Sequence, residues 1–153
     1  MTHSGLLFAA AAITVKYHKK VSESYEDGVL TAYEVSQLNL RGLDLVVLSA
    51  CQTGNGEISG EGVFGMQRGF KIAGAQSIIM SLWNVGDEAT KYMMEQFYKY
   101  YLDQNMTKRE AFLKAQQDVK AKDDEYASKD SDYSKKRLIQ PHWAAFILLD
   151  AME

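Results

Sequence analysis

Hydrophobic positions along this chain fall into two alternating patterns. Short runs are apolar at every position, as in strands covered on both faces; between them, apolar residues recur at three- and four-residue spacing, as on amphipathic helices. Residues 5 to 17 read as a strand or short hairpin edge, and Lys19 to Gly28 is a polar connection. Thr31-Ala32-Tyr33-Glu34 has capping-box spacing and predicts a short helix with Val35 and Leu38 on its apolar side, ended by Arg41-Gly42. Leu43 to Ala50 is the first central strand, followed by a glycine-rich loop from Gln52 to Gly62. Val63, Met66, Phe70 and Ala73 then predict a helix over Glu61 to Gly74, with Gly65 and Gly69 leaving a smooth side to pack on a sheet.

Ala75 to Trp83 is a second central strand, closed by the turn Asn84-Val85-Gly86-Asp87. Ala89, Met93, Phe97 and Tyr100 define the buried side of a helix from about Glu88 to Leu102. Thr107-Lys108-Arg109-Glu110 repeats the capping box and opens a further helix through Ala111, Ala115 and Val119. Lys120 to Lys136 is crowded with charge and serine, as at a helix end running into a surface loop or in a mobile insertion, and Trp143 to Leu149 forms a last strand. The succession predicts an α/β layered domain, a single unit over residues 1 to 153, with a largely parallel sheet.

Composition narrows the function. A net charge of -3 with both signs interspersed provides no basic face for nucleic acid. No apolar stretch reaches the roughly 18 to 20 residues of a membrane span, and the apolar start lacks the basic flank of a signal peptide. One cysteine excludes an internal disulfide and suits a reducing compartment, so a cytoplasmic protein is expected. No metal or other cofactor is called for.

That cysteine, Cys51, stands where the run Leu45 to Leu48 breaks into Ser49-Ala50-Cys51-Gln52-Thr53-Gly54. Ligands of open α/β sheets collect outside the carboxyl ends of such strands, so the position suits a nucleophile, although free cysteine also packs as a small hydrophobe. A catalytic thiol needs a base and donors for the oxyanion; the glycine-rich loop lets backbone approach a substrate closely. A serine hydrolase has no support, because no Gly-x-Ser-x-Gly elbow is present.

Ordered segments along nearly the whole chain resemble one family. They are Ser4-Gly5-Leu6-Leu7-Phe8-Ala9, Asp27 to Val35, Leu48 to Gly54, Gly60-Glu61-Gly62, Gly69-Phe70, Gly74-Ala75, Ser81 to Val85, Asp87 to Thr90 and Trp143 to Phe146. Together they look like the carboxyl-terminal part of a CHAT domain, the caspase-like peptidase domain often attached to tetratricopeptide repeats. The resemblance implies a caspase-like α/β/α sandwich with a mainly parallel central sheet, incomplete at its N-terminal side, and a hydrolase, a cysteine endopeptidase related to separases. It also implies a bacterial protein that acts on a protein or peptide substrate through a thioester on Cys51, with Gln52, Thr53 and Gly54 in the oxyanion loop.

In that family the dyad histidine comes from an Ala-Thr-His-Gly motif upstream of the Ser-Gly-Leu-Leu segment, and these 153 residues contain no such motif. His3 and His18 lie in places ill suited to orient a base; His142, before the last strand, is the best remaining candidate but matches no catalytic position. The chain by itself is therefore expected to be inactive, with a non-enzymatic interaction module as the alternative. Missing strands would leave an open sheet edge through which copies associate. By analogy with the Leu-Trp-Asp-Val segment of separases, Asp87 would select a basic residue and Trp83 would wall the substrate pocket; Asp87 also suits a helix N-cap, and Trp83 a core position.

Overall fold

In a computed structural model, the structure describes residues 5–7, 28–48, 60–129 and 141–150. Strands β1 (Gly5–Leu7) and β2 (Val29–Thr31) form an antiparallel pair in which Leu6 lies opposite Leu30. Helix α1 (Ala32–Ser36) follows directly, and strand β3 (Leu45–Leu48) leads to α2 (Gly60–Ala73) and β4 (Ser77–Ser81). Helix α3 (Asp87–Tyr98) runs into a π-helical turn, Lys99–Asp103; α4 (Lys108–Lys129) comes next, and the 3-10 turn Trp143–Ala145 leads into β5 (Phe146–Leu149). Strands β3, β4 and β5 form a three-stranded sheet in that order. The fold is α/β in character, as the alternating periodicities predict.

Every residue of β4 is buried, which is why Ile78, Ile79 and Met80 run without polar alternation between the two buried serines Ser77 and Ser81. The sheet is mixed. The Leu82 N–H donates to the Ala145 carbonyl at 2.7 Å, so β5 begins beside the end of β4 and runs back along it.

The chain divides into two compact units, one of Met1–Val46 and Gln52–Ile78, the other of Val47–Cys51 and Ile79–Glu153. In the first unit α1 is shorter than expected. Its capping box is present, with Thr31 Oγ1 accepting from the Glu34 N–H and the Glu34 carboxylate accepting from the Thr31 N–H, but the helix stops at Ser36 rather than at Arg41-Gly42. Val35 is buried and Leu38, beyond the helix end, is exposed. Gly69 serves a closer approach than the sheet packing expected of it: a Cβ there would lie 2.5 Å from the Ala32 carbonyl oxygen, so α1 and α2 touch backbone to backbone. Gly74, with φ at 103°, ends α2 in the left-handed conformation; its N–H reaches the Lys71 carbonyl and that of Ala75 reaches Phe70, a Schellman closure.

In the second unit α3 and α4 pack along Met93, Phe97, Ala111, Phe112, Ala115 and Val119, all buried. Helix α3 ends its regular part at Tyr98, earlier than the Leu102 expected, and the π-turn carries Tyr100 inward. The ring of Tyr101 stacks on Phe97 at 5.7 Å, while Tyr98 stays exposed. The capping box of α4 is closed by Thr107 and Glu110. That helix continues to Lys129, through much of the charged stretch. The last strand is shorter than its apolar run, because Trp143–Ala145 form the 3-10 turn.

Candidate functional site

The described part of the site is the end of β4. Ser81 is buried, the chain leaves the sheet through Leu82, Trp83 and Asn84, Val85 folds back into the core, and Gly86 opens α3. Trp83 is half-buried and its indole Nε1 is fully covered with no hydrogen-bond partner among the described residues. A buried donor left unpaired costs about 1 to 3 kcal/mol. Trp83 is thus not a fully buried core residue, and among the described residues its indole N–H finds no acceptor.

Asp87 is exposed and is the first residue of α3, not its N-cap. The capping position belongs to Gly86, in extended conformation (φ -59°, ψ 149°), and no side chain caps this helix. An N-cap must keep non-helical dihedrals while its side chain reaches back to the next turn, and Asp87 has already joined the helix. Its carboxylate, with that of Glu88, stands at the positive end of the helix dipole and faces outward.

Cys51, Gln52, Thr53 and Gly54 lie outside the described residues. The strand that leads to them, β3, has the buried Val46 at its centre. His3 and His18 also lie outside; His142 is described, and it is not a simple solvated side chain. Its ring Nδ1 lies 2.8 Å from Asp123 Oδ1, and its backbone N–H donates to Asp123 Oδ2 at 3.0 Å. The two side chains are 14% and 9% exposed, so water competes little for the contact. Asp123 was missed by sequence reasoning. The signal was present: Ala111, Ala115, Val119 and Asp123 are four residues apart, which puts a carboxylate on the buried stripe of α4.

A second carboxylate holds the π-turn. Asp118 accepts from the Tyr100 hydroxyl at 2.5 Å, and the Lys114 ammonium lies 4.3 Å from the centre of that ring. The hydrogen bond first, then burial and the nearby negative charge, push the Tyr100 phenol up to about 12. Among the described residues no group of three His, Cys, Asp or Glu side chains could hold a metal, and no helix is long and apolar enough to cross a membrane.

Comparison of the sequence with known proteins places it in a family. The CHAT domain family matches residues 2–151. Tetratricopeptide repeat protein 28 of mouse is 37% identical over 75 residues, and its human counterpart 39% identical over the same length. Those residues are 49% of this chain but only 3% of either relative. No solved structure matches. The chain belongs to the CHAT domain family, and its relatives include proteins named for tetratricopeptide repeats.

Proposed function

We propose that this CHAT domain is a caspase-like cysteine peptidase module whose nucleophile is Cys51. Membership of the family over nearly the whole chain carries the reading. The place of Cys51, three residues past the end of the apolar strand β3, supports it. The finer fold that follows is a caspase-like sandwich around the β3-β4-β5 sheet.

In this reading the Cys51 sulfur, as thiolate, attacks the carbonyl carbon of a peptide bond. The sulfur–carbon bond forms, electrons move onto the carbonyl oxygen, and backbone N–H groups of the Gln52 to Gly54 loop stabilise that oxyanion. Collapse breaks the carbon–nitrogen bond, the amine leaves with a proton from the base, and water hydrolyses the thioester. The base is a histidine supplied from outside these 153 residues, so this chain alone retains the thiol without turnover. A thiol without a base keeps a pKa near about 8.5 and is only slightly ionised at neutral pH. Asp87, exposed at the head of α3, would pair with a substrate guanidinium, and Trp83 would form the adjacent wall.

The test is the rate of iodoacetamide alkylation of Cys51 across pH, measured together with cleavage of arginine-containing fluorogenic peptides. A free-thiol profile without cleavage is expected for this chain. Joining it to an Ala-Thr-His-Gly-bearing segment should lower the alkylation midpoint and start cleavage that Cys51→Ser abolishes. Cleavage unchanged by Cys51→Ser, or no gain on joining, would overturn the reading in favour of a non-enzymatic interaction module.

A further inference from the structure

We propose that Asp123 and His142 form a proton-operated latch that fixes the end of β4, where Trp83 leaves the sheet. The carboxylate of Asp123 uses one oxygen on the His142 ring and the other on the His142 backbone N–H, at 2.8 and 3.0 Å. This two-point grip determines both the position of the chain and the orientation of the ring. From His142 the connection continues through backbone: its carbonyl accepts from the Ala145 N–H at 3.2 Å, and the Ala145 carbonyl accepts from the Leu82 N–H at 2.7 Å. Trp83 is the next residue. A buried carboxylate on α4 is thereby coupled to the candidate substrate wall through four hydrogen bonds.

The latch responds to protons because the ring half of the grip can gain a positive charge. With a neutral ring, Nδ1–H donates to a carboxylate; with a protonated ring, the same contact becomes an ion pair in a site that water barely reaches. Protonation of the His142 ring therefore tightens the grip. Among the described residues, charged side chains stand nearby on α4 and α3. On α4, Lys120 holds its ammonium 5.3 Å from the centre of the Trp143 ring and Lys122 lies over Tyr92 of α3; both oppose protonation of the ring, whereas Asp123 and its neighbour Asp124 favour it. From the same helix Gln116, uncharged, donates to the Trp143 and Phe146 carbonyls, so that side of the 3-10 turn stays fixed at every pH. Asp87 and Glu88 at the head of α3 are exposed and outward.

The test is nitrogen-15 NMR of the full chain, following the His142 ring nitrogens and the indole N–H of Trp83, which is identified by its loss in Trp83→Phe. The neutral ring should be the Nδ1-protonated tautomer, and the Trp83 indole resonance should move with the His142 midpoint. Asp123→Asn should lower that midpoint and uncouple the indole from it. His142→Asn, whose amide nitrogen can reach the carboxylate from near the Nδ1 position, should keep the indole in its latched position at every pH, a second arm that does not depend on Asp123→Asn folding. An Nε2-protonated neutral ring, a Trp83 resonance indifferent to His142, or a midpoint unmoved in Asp123→Asn would each overturn the latch. None of these readouts depends on Cys51 or on peptide cleavage.

Discussion

The starts of α3 and α4, neighbouring helices of one unit, are built in opposite ways. At α4, Thr107 and Glu110 satisfy each other's backbone, and the hydrogen bonds from the Thr107 side chain, then from its backbone, hold the Glu110 carboxyl below the usual carboxylate range. At α3, glycine caps, no side chain returns to the backbone, and two carboxylates point to solvent. At α4 the polar side chains are committed to the helix's own main chain, and at α3 they are turned to solvent. The indole N–H of Trp83, without an acceptor among the described residues, lies close by, four residues before Asp87.

The contrast can be broken most forcefully from the packed core. Phe97 is fully buried between the helices, and Phe97→Ala should cost about 3 to 5 kcal/mol, seen as a large fall in the denaturant midpoint. Gly69→Ala should cost about 1 to 3 kcal/mol, because its new Cβ would meet the Ala32 carbonyl oxygen at 2.5 Å and backbone must shift. A smaller effect, about 1 to 2 kcal/mol, is expected of Tyr100→Phe, which removes one hydrogen bond to a carboxylate that remains half-exposed to water.

The same tyrosine makes a signed prediction in pH. Its phenol titrates near about 12 in the folded chain against 10.0 ordinarily, so the folded state binds the proton more tightly. Stability from this group is therefore complete below pH 10 and declines as pH rises toward 12; Tyr100→Phe should flatten that alkaline decline in equilibrium unfolding.

Thr107→Ala should cost about 1 kcal/mol and return the Glu110 carboxyl to an ordinary titration, followed by carbon-13 NMR. The sign is the usual one for a lowered acid: the stabilisation is present above the unfolded value and lost as pH falls through the folded one. The smallest change in stability, under about 0.5 kcal/mol, is expected of Asp87→Asn, since that side chain caps nothing. On the proposed function, with the base supplied, the same substitution should reduce cleavage after arginine far more than cleavage after neutral residues. A large loss of stability in Asp87→Asn would erase the distinction between the two helix starts.

Local chemistry was legible wherever a residue answers to its neighbours in sequence. Both threonine capping boxes, the unalternating Ile78 to Met80 run of β4 and the four-residue spacing behind Met93, Phe97, Ala111, Ala115 and Val119 are contacts over a few residues, and the structure has them where the pattern puts them. The same reading overextended α1, because Val35 and Leu38 share a face only if the helix continues, and it closes at Gln37 instead. It also gave Asp87 a cap that Gly86 takes, since a box needs both a side chain and the right dihedrals.

What tertiary structure alone decided is distant pairing. Strand β2 exists because β1 lies beside it, and Asp118 and Asp123 acquire partners 18 and 19 residues away. The charged run from Lys120 onward stays helical as far as Lys129, with the buried Asp123 tied to the chain ahead of β5. Hydrophobic periodicity records which face of an element is covered, and so the sequence by itself determined the elements and their family. It carries no record of which two polar groups meet once the elements pack, because such a pair gains its energy only after folding has excluded water from both.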